Sequence, residues 1–163
     1  MGNFSNLIPT SLGETISVAV IEDQKPQNTN GGTFTSGAWR TRDLNTVTSD
    51  DDSIVTLNAN QFTLQAGTYL IEAFATSYRV ARSVAKLYNV TDVTDEIIGL
   101  ATFANNASGN TVISHIEGSI VLSAPKTFEI QHECQTTQTS DGFGIGSNFG
   151  VEVYSQVKIT KFG

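Results

Sequence analysis

Apolar and polar residues alternate along most of this chain with a period of two, a rhythm that strands satisfy and helices do not. Successive side chains of an extended backbone point to opposite faces, so alternation means one buried face and one solvated face. The run Val112 to Leu122 is the clearest case: Val112, Ile116, Ile120 and Leu122 fall on one side, with Ser114 and Gly118 between them. Phe128, Ile130, His132 and Cys134 alternate with Glu129, Gln131 and Glu133. Tyr69, Ile71 and Ala73 share one face of Thr68 to Ala75. No stretch of a dozen residues places apolar side chains three and four apart among helix formers.

The same pattern predicts strands over Glu14 to Glu22, with Ile16, Val18 and Val20 on the apolar face, and over Val151 to Phe162, with Val151, Val153, Val157 and Ile159 on one face. Shorter extended segments are expected at Ala38 to Val47, Ile54 to Leu57, Phe62 to Leu64, Val84 to Val90 and Glu96 to Phe103. Between them lie runs rich in Gly, Asn, Asp, Ser and Pro, which punctuate strands. Roughly eight to ten strands at this spacing predict an all-β antiparallel sandwich or barrel. Residues 13–163 read as one domain, and residues 1–12 as an arm outside its core, with Leu7 and Ile8 docking on a neighbour.

Composition narrows the partners. Net charge is −7 and only nine Lys and Arg are spread along the chain. A phosphate backbone or an anionic membrane surface calls for clustered cations, so neither is an expected partner. Charged residues make up only 15% of the chain, and Thr, Ser, Asn, Gln and Gly take their place. Cys134 is the single cysteine, so no internal disulfide is possible and folding in a reducing cytoplasm is expected. Met1 to Pro9 lacks the basic and apolar regions of a secretory leader, and no run approaches the ~18 apolar residues of a membrane span.

Phe62-Thr63-Leu64-Gln65-Ala66-Gly67-Thr68-Tyr69-Leu70-Ile71 resembles the strand-turn-strand signature of the tumour-necrosis-factor and complement-globular-head superfamily. Gly150 to Phe162 resembles its closing strand, and Phe143 to Phe149 its Gly-rich aromatic approach. More narrowly, Glu22 to Lys25, Gly31 to Gly37, Trp39 to Arg42, Leu87 to Thr91 and Phe128 to His132 resemble small domains of phage and other virus particles. The resemblance implies a ten-stranded jelly roll, a homotrimer, and binding of protein or glycan through loops and inter-subunit grooves. It also implies synthesis in a host cytoplasm, other virion proteins as partners, and a place on the virion surface, at capsid or tail fibre. A capsid-decorating or fibre-anchoring protein without a receptor is the alternative.

Candidate sites follow on that frame. Trp39, Arg40 and Arg42 form an aromatic and cationic group that can stack on a sugar or anchor a protein contact. The competing reading makes Trp39 core or inter-subunit packing with both arginines outside. The loop Thr136, Thr137, Gln138, Thr139, Ser140 is a recognition candidate, since loops on rigid sandwiches carry binding. Tyr69, Phe143, Ile145, Phe149 and Tyr154 are expected at the trimer seam. Asp50, Asp51 and Asp52 offer the oxygen ligands calcium prefers, though without the spacing of a calcium loop. No other metal and no cofactor is expected. His132 and Cys134 read as a core thiol and a hydrogen-bonded core histidine; two residues apart on a strand they stand about 7 Å from each other, too far for proton transfer. No motif of an enzyme is present, so the expectation is a non-enzyme. The rival, a glycan hydrolase, would have to use Glu117, Glu129, Glu133 or Glu152.

Overall fold

The computed structural model describes residues 15–163; the arm of residues 1–12 lies outside the described residues. Twelve strands form two antiparallel sheets. The first contains β1 (Ile16–Lys25), β3 (Thr46–Asp50), β6 (Gly67–Tyr78), β10 (Thr111–Leu122) and β12 (Glu152–Phe162), in the order β10-β6-β12-β1-β3. The second contains β4 (Val55–Asn58), β5 (Gln61–Leu64), β11 (Lys126–Cys134), β7 (Ala81–Asn89) and β8 (Thr94–Ile98) in that order. The short β2 (Arg40–Thr41) adds to β11 and β9 (Thr102–Ala104) to β7. The jelly-roll sandwich is therefore the fold. The strand count exceeds ten because two expected strands are each broken in two. Ala38 to Val47 becomes β2 and β3, and Glu96 to Phe103 becomes β8 and β9.

The core lies between the sheets. Tyr69, Ile71, Ala73 and Ala75 of β6, Ile116 and Ile120 of β10, and Val157 and Ile159 of β12 face Phe62, Leu64, Leu87, Phe128 and Ile130 of the other sheet. One open side is closed by the chain after β8. The Gly99 N–H bonds to Ala85 O, and the Leu100 N–H to His115 O, tying one sheet to the other. A Cβ at Gly99 would sit 2.8 Å from both of those carbonyl oxygens. The Ser114 hydroxyl completes the seal, donating to Leu100 O and accepting the Ala85 N–H.

One face assignment is reversed and another holds for only half of its strand. On β1 the buried apolar residues are Ala19 and Ile21, while Ile16 and Val18 are exposed. Both parities of this strand are apolar, so alternation alone cannot choose between them. On β12 the face changes partway. Ser155 pairs with Asp23 and Val153 with Gln24, leaving Tyr154 as an extra, bulged residue. A bulge shifts the side-chain phase by one. Val157 and Ile159 are buried as expected, whereas Val151 and Val153 are exposed and Glu152 and Tyr154 turn inward.

Candidate functional site

Arg42 is not a surface group. It is 1% exposed, and its guanidinium donates to the carbonyl oxygens of Thr76 (3.0 Å), Tyr154 (2.7 Å) and Phe143 (3.4 Å). It also lies 4.2 Å from the centre of the Phe143 ring. Burial pulls its pKa down to about 10, while Asp23 and Asp43 oppose the shift. A cation taken out of water survives when its donors find acceptors, and here the carbonyls of three chain segments accept from its two terminal nitrogens. Arg42 is therefore a clamp that holds the ends of the loops. Trp39 is half-buried, with the Lys86 ammonium 3.9 Å from its ring centre. Arg40 bonds to Thr35 O through Nε.

The recognition loop is itself held. Gln138 and Phe34 exchange backbone hydrogen bonds, and the Thr136 N–H donates to Val80 O. The Ser36 N–H and hydroxyl engage the Thr137 hydroxyl, the N–H donating to it. Thr139 and Ser140 remain exposed, and the Ser140 N–H donates to the Thr33 hydroxyl. The structure thus brings Arg40, Ser36 and Thr137 to one edge, with Thr139 and Ser140 beyond it, and removes Arg42 from the group.

Beneath these loops lies a second apolar cluster. Phe34 stacks on Phe143 with ring centres 4.4 Å apart and meets the His132 ring at 4.7 Å in a tilted contact. His132 is wholly buried and neither ring nitrogen has a hydrogen-bond partner, contrary to the expectation of a bonded histidine. Burial, reinforced by the Arg42 charge, holds its pKa well below the usual histidine value. Burial likewise pushes the Cys134 thiol up to about 11, which keeps it protonated and inert.

Three of the five expected seam residues point into their own chain. Tyr69 is a core residue whose hydroxyl donates to Gln65 O. Phe143 sits in the Phe34 stack. Tyr154 is buried and donates to Thr29 O. Ile145 and Phe149 are exposed, Phe149 by 96%. The calcium reading meets a competing use of its ligand. Asp50 accepts the N–H groups of Ile54 and Val55, capping the turn, while Asp51 and Asp52 face outward. Among the described residues no three His, Cys, Asp or Glu lie together to hold a metal. The carboxylates of the hydrolase rival do not converge. Glu129, on β11, accepts from Thr41, Gln61 and Gln131; on the other sheet Glu152 of β12 turns inward and accepts from Ser147 and Asn148, while Glu117 of β10 faces outward.

The surface that sequence reasoning missed is the outward face of the five-stranded sheet. Its register sets Val121, Thr68, Phe162 and Ile16 in a row across four strands, and Ser119, Leu70, Thr160 and Val18 in the next inner row. Glu117, Glu72, Lys158 and Val20 follow, then His115, Phe74, Gln156 and Glu22. Lys158 pairs with Glu72 at 2.8 Å, and the rings of His115 and Phe74 stack at 4.7 Å. Ile113 and Val153 extend the face beyond this polar belt. Val121 is 79% exposed and Ile113 53%. Apolar ends thus flank a polar middle on a face that a solvated sheet would cover with polar side chains. The available signal was the apolar content of both parities in β1 and β10.

The outer face of the other sheet holds a hollow of about 620 Å³ between Arg82, Val84, Phe103 and Glu133.

No family model matches the sequence, and no curated protein matches it. Solved structures do match in shape. The crystal structure of murine APRIL at pH 5.0 superposes with a TM-score of 0.58 at 8% identity, covering 90% of this chain and 99% of that one. The globular domain of zebrafish complement 1qA protein superposes with a TM-score of 0.50 at 12% identity, covering 88% of this chain and 94% of that one. At these identities the likeness establishes the jelly-roll fold shared by both.

Proposed function

We propose that this chain is a non-enzymatic recognition module that works as a homotrimer. The observation that carries the reading is the outward face of the five-stranded sheet, where Ile16, Val18, Ile113, Val121, Val153 and Phe162 remain uncovered in the single chain. Burial of apolar surface is the main driving force for association, at roughly 25 cal/mol per Å² before the costs of ordering. The trimeric habit implied by the sequence resemblance sets the copy number. Three copies would carry three sets of the Arg40, Thr137 and Ser140 edge, and weak sites gain strength when they are linked. Neutral hydroxyl and amide side chains there suit hydrogen bonding to a host-surface glycan or protein. The weakly charged surface, together with the resemblance to virus-particle domains, supports display on a virion surface, at capsid or tail fibre.

Light scattering tests the central claim. The expected mass is three times 17.5 kDa, and a monomer at high concentration would overturn it. Glycan-array binding by the trimer is the expected second result. A trimer that binds neither glycan nor host protein and is found by labelled antibody on the capsid would favour the decorating role instead.

A further inference from the structure

We propose that Phe149 is a knob that seats in a hollow on the next copy of the chain, and that this contact closes the ring. The inference rests on the self-association proposed above and names the residues that make it.

Phe149 is exposed by 96% and is followed by exposed Val151 and Val153, so it belongs to an apolar patch, carried on a loop that is firmly held. The Glu152 carboxylate accepts the N–H groups of Ser147 and Asn148 and the Ser147 hydroxyl. The Gly146 N–H donates to Asn30, and Gln27 donates to Asn148 O. The backbone on the N-terminal side of Phe149 is therefore set before any partner arrives, which lowers the ordering cost of binding.

Two adjoining hollows lie at the same end of the sheet face. One, of about 180 Å³, is lined by Phe74, Thr76, Ile113 and Val153, among others. The other, of about 230 Å³, lies beside Ile145 and Val151. Phe149 lines neither of them in its own chain. The first hollow is an open depression, and its volume exceeds the about 150 Å³ of a cavity that holds benzene, so a phenyl group has room to lie in it.

Knob and socket are different patches, so the contact is heterologous, and repetition gives either a ring or a filament. A ring closes only when both patches sit at one height along the symmetry axis. Phe149 is two residues from Val151 and four from Val153, which with Thr76 and Tyr154 lines both hollows, so knob and hollows share one end of the strand, as closure requires. The carboxylate nearest the knob, Glu152, already accepts three hydrogen bonds, so the contact buries no unpaired charge there. That matters for copies that each carry −7.

The test has two arms. Sedimentation compares wild type with Phe149→Ser, a change at a site with almost no intramolecular packing. At least a tenfold weaker association is expected, with an unchanged circular dichroism spectrum. In the second arm, chains bearing Phe149→Cys and Ile113→Cys are co-expressed and oxidised. An inter-chain disulfide is expected from the mixture and from neither variant alone; the buried Cys134 does not compete. A wild type that is monomeric overturns the trimer reading and this inference together. An oligomeric wild type with unchanged association of Phe149→Ser, or without the crosslink, overturns the knob and socket alone.

Discussion

His132 shows how far a residue's surroundings depart from its sequence context. Alternation placed it inward with Phe128, Ile130 and Cys134, correctly. What alternation could not show was Arg42, ninety residues away in sequence, lying close enough to help suppress its charge. The sign of the pH effect follows. The folded chain holds His132 neutral well below 6.5, whereas the unfolded chain protonates it near 6.5. The unfolded state therefore binds more protons below that value. The stability contribution is full above pH 6.5 and is lost as pH falls toward the folded pKa, at about 1.4 kcal/mol per pH unit. Urea unfolding from pH 7 to 5 should show this slope in wild type and lose it in His132→Phe, which keeps a ring against Phe34. Parallel curves would refute the assignment. Gly144 makes a second residue-scale case. Its φ is +149°, and a Cβ there would meet the Tyr154 ring at 2.3 Å. Gly144→Ala is expected to cost about 2 kcal/mol or more by strain and clash, read as a lowered urea midpoint. A neutral result would mean that the loop adapts freely.

Among the elements, strand existence was legible and strand phase was not. On β6, β10 and β11 the buried faces agree with the pattern: Tyr69, Ile71 and Ala73; Ile116, Ile120 and Leu122; Phe128, Ile130 and Cys134. β1 and β12 defeat it for different reasons. β1 is apolar on both sides, with Ala19 and Ile21 in the core and Ile16 and Val18 outside. β12 shifts phase at the Tyr154 bulge, and a one-residue insertion leaves no mark in composition. The two halves of β12 therefore respond differently to charge. Val157→Asp buries a carboxylate between Ile21 and Ala73 of the flanking strands and is expected to prevent folding, seen as loss of the cooperative melting transition. Val153→Asp lies past the bulge, on the exposed side, and is expected to fold with a melting temperature close to wild type at concentrations where the chain is monomeric. If both variants behave alike, the bulge is misplaced.

For the whole molecule, exposure in one chain and burial in an assembly make opposite predictions about the same substitution. Val121 sits in the row with Thr68, Phe162 and Ile16, at the end of the sheet face remote from Phe149. In a solitary chain, Val121→Glu changes a side chain 79% exposed to solvent and should shift stability by no more than about 0.5 kcal/mol. In a trimer closed through this face, the same change buries a carboxylate beside its own copies, with no cation in its row to pair with. Removal of a charge from water without a partner costs several kcal/mol, so association should weaken by orders of magnitude. Val93→Glu is the matched control. Val93 is 73% exposed in the turn between β7 and β8, off this face, and its substitution should leave the mass in solution unchanged. The pair separates an apolar patch that merely tolerates water from one that seeks a partner. If Val121→Glu assembles as wild type does, the outward sheet face is not the seam, whatever the oligomeric state.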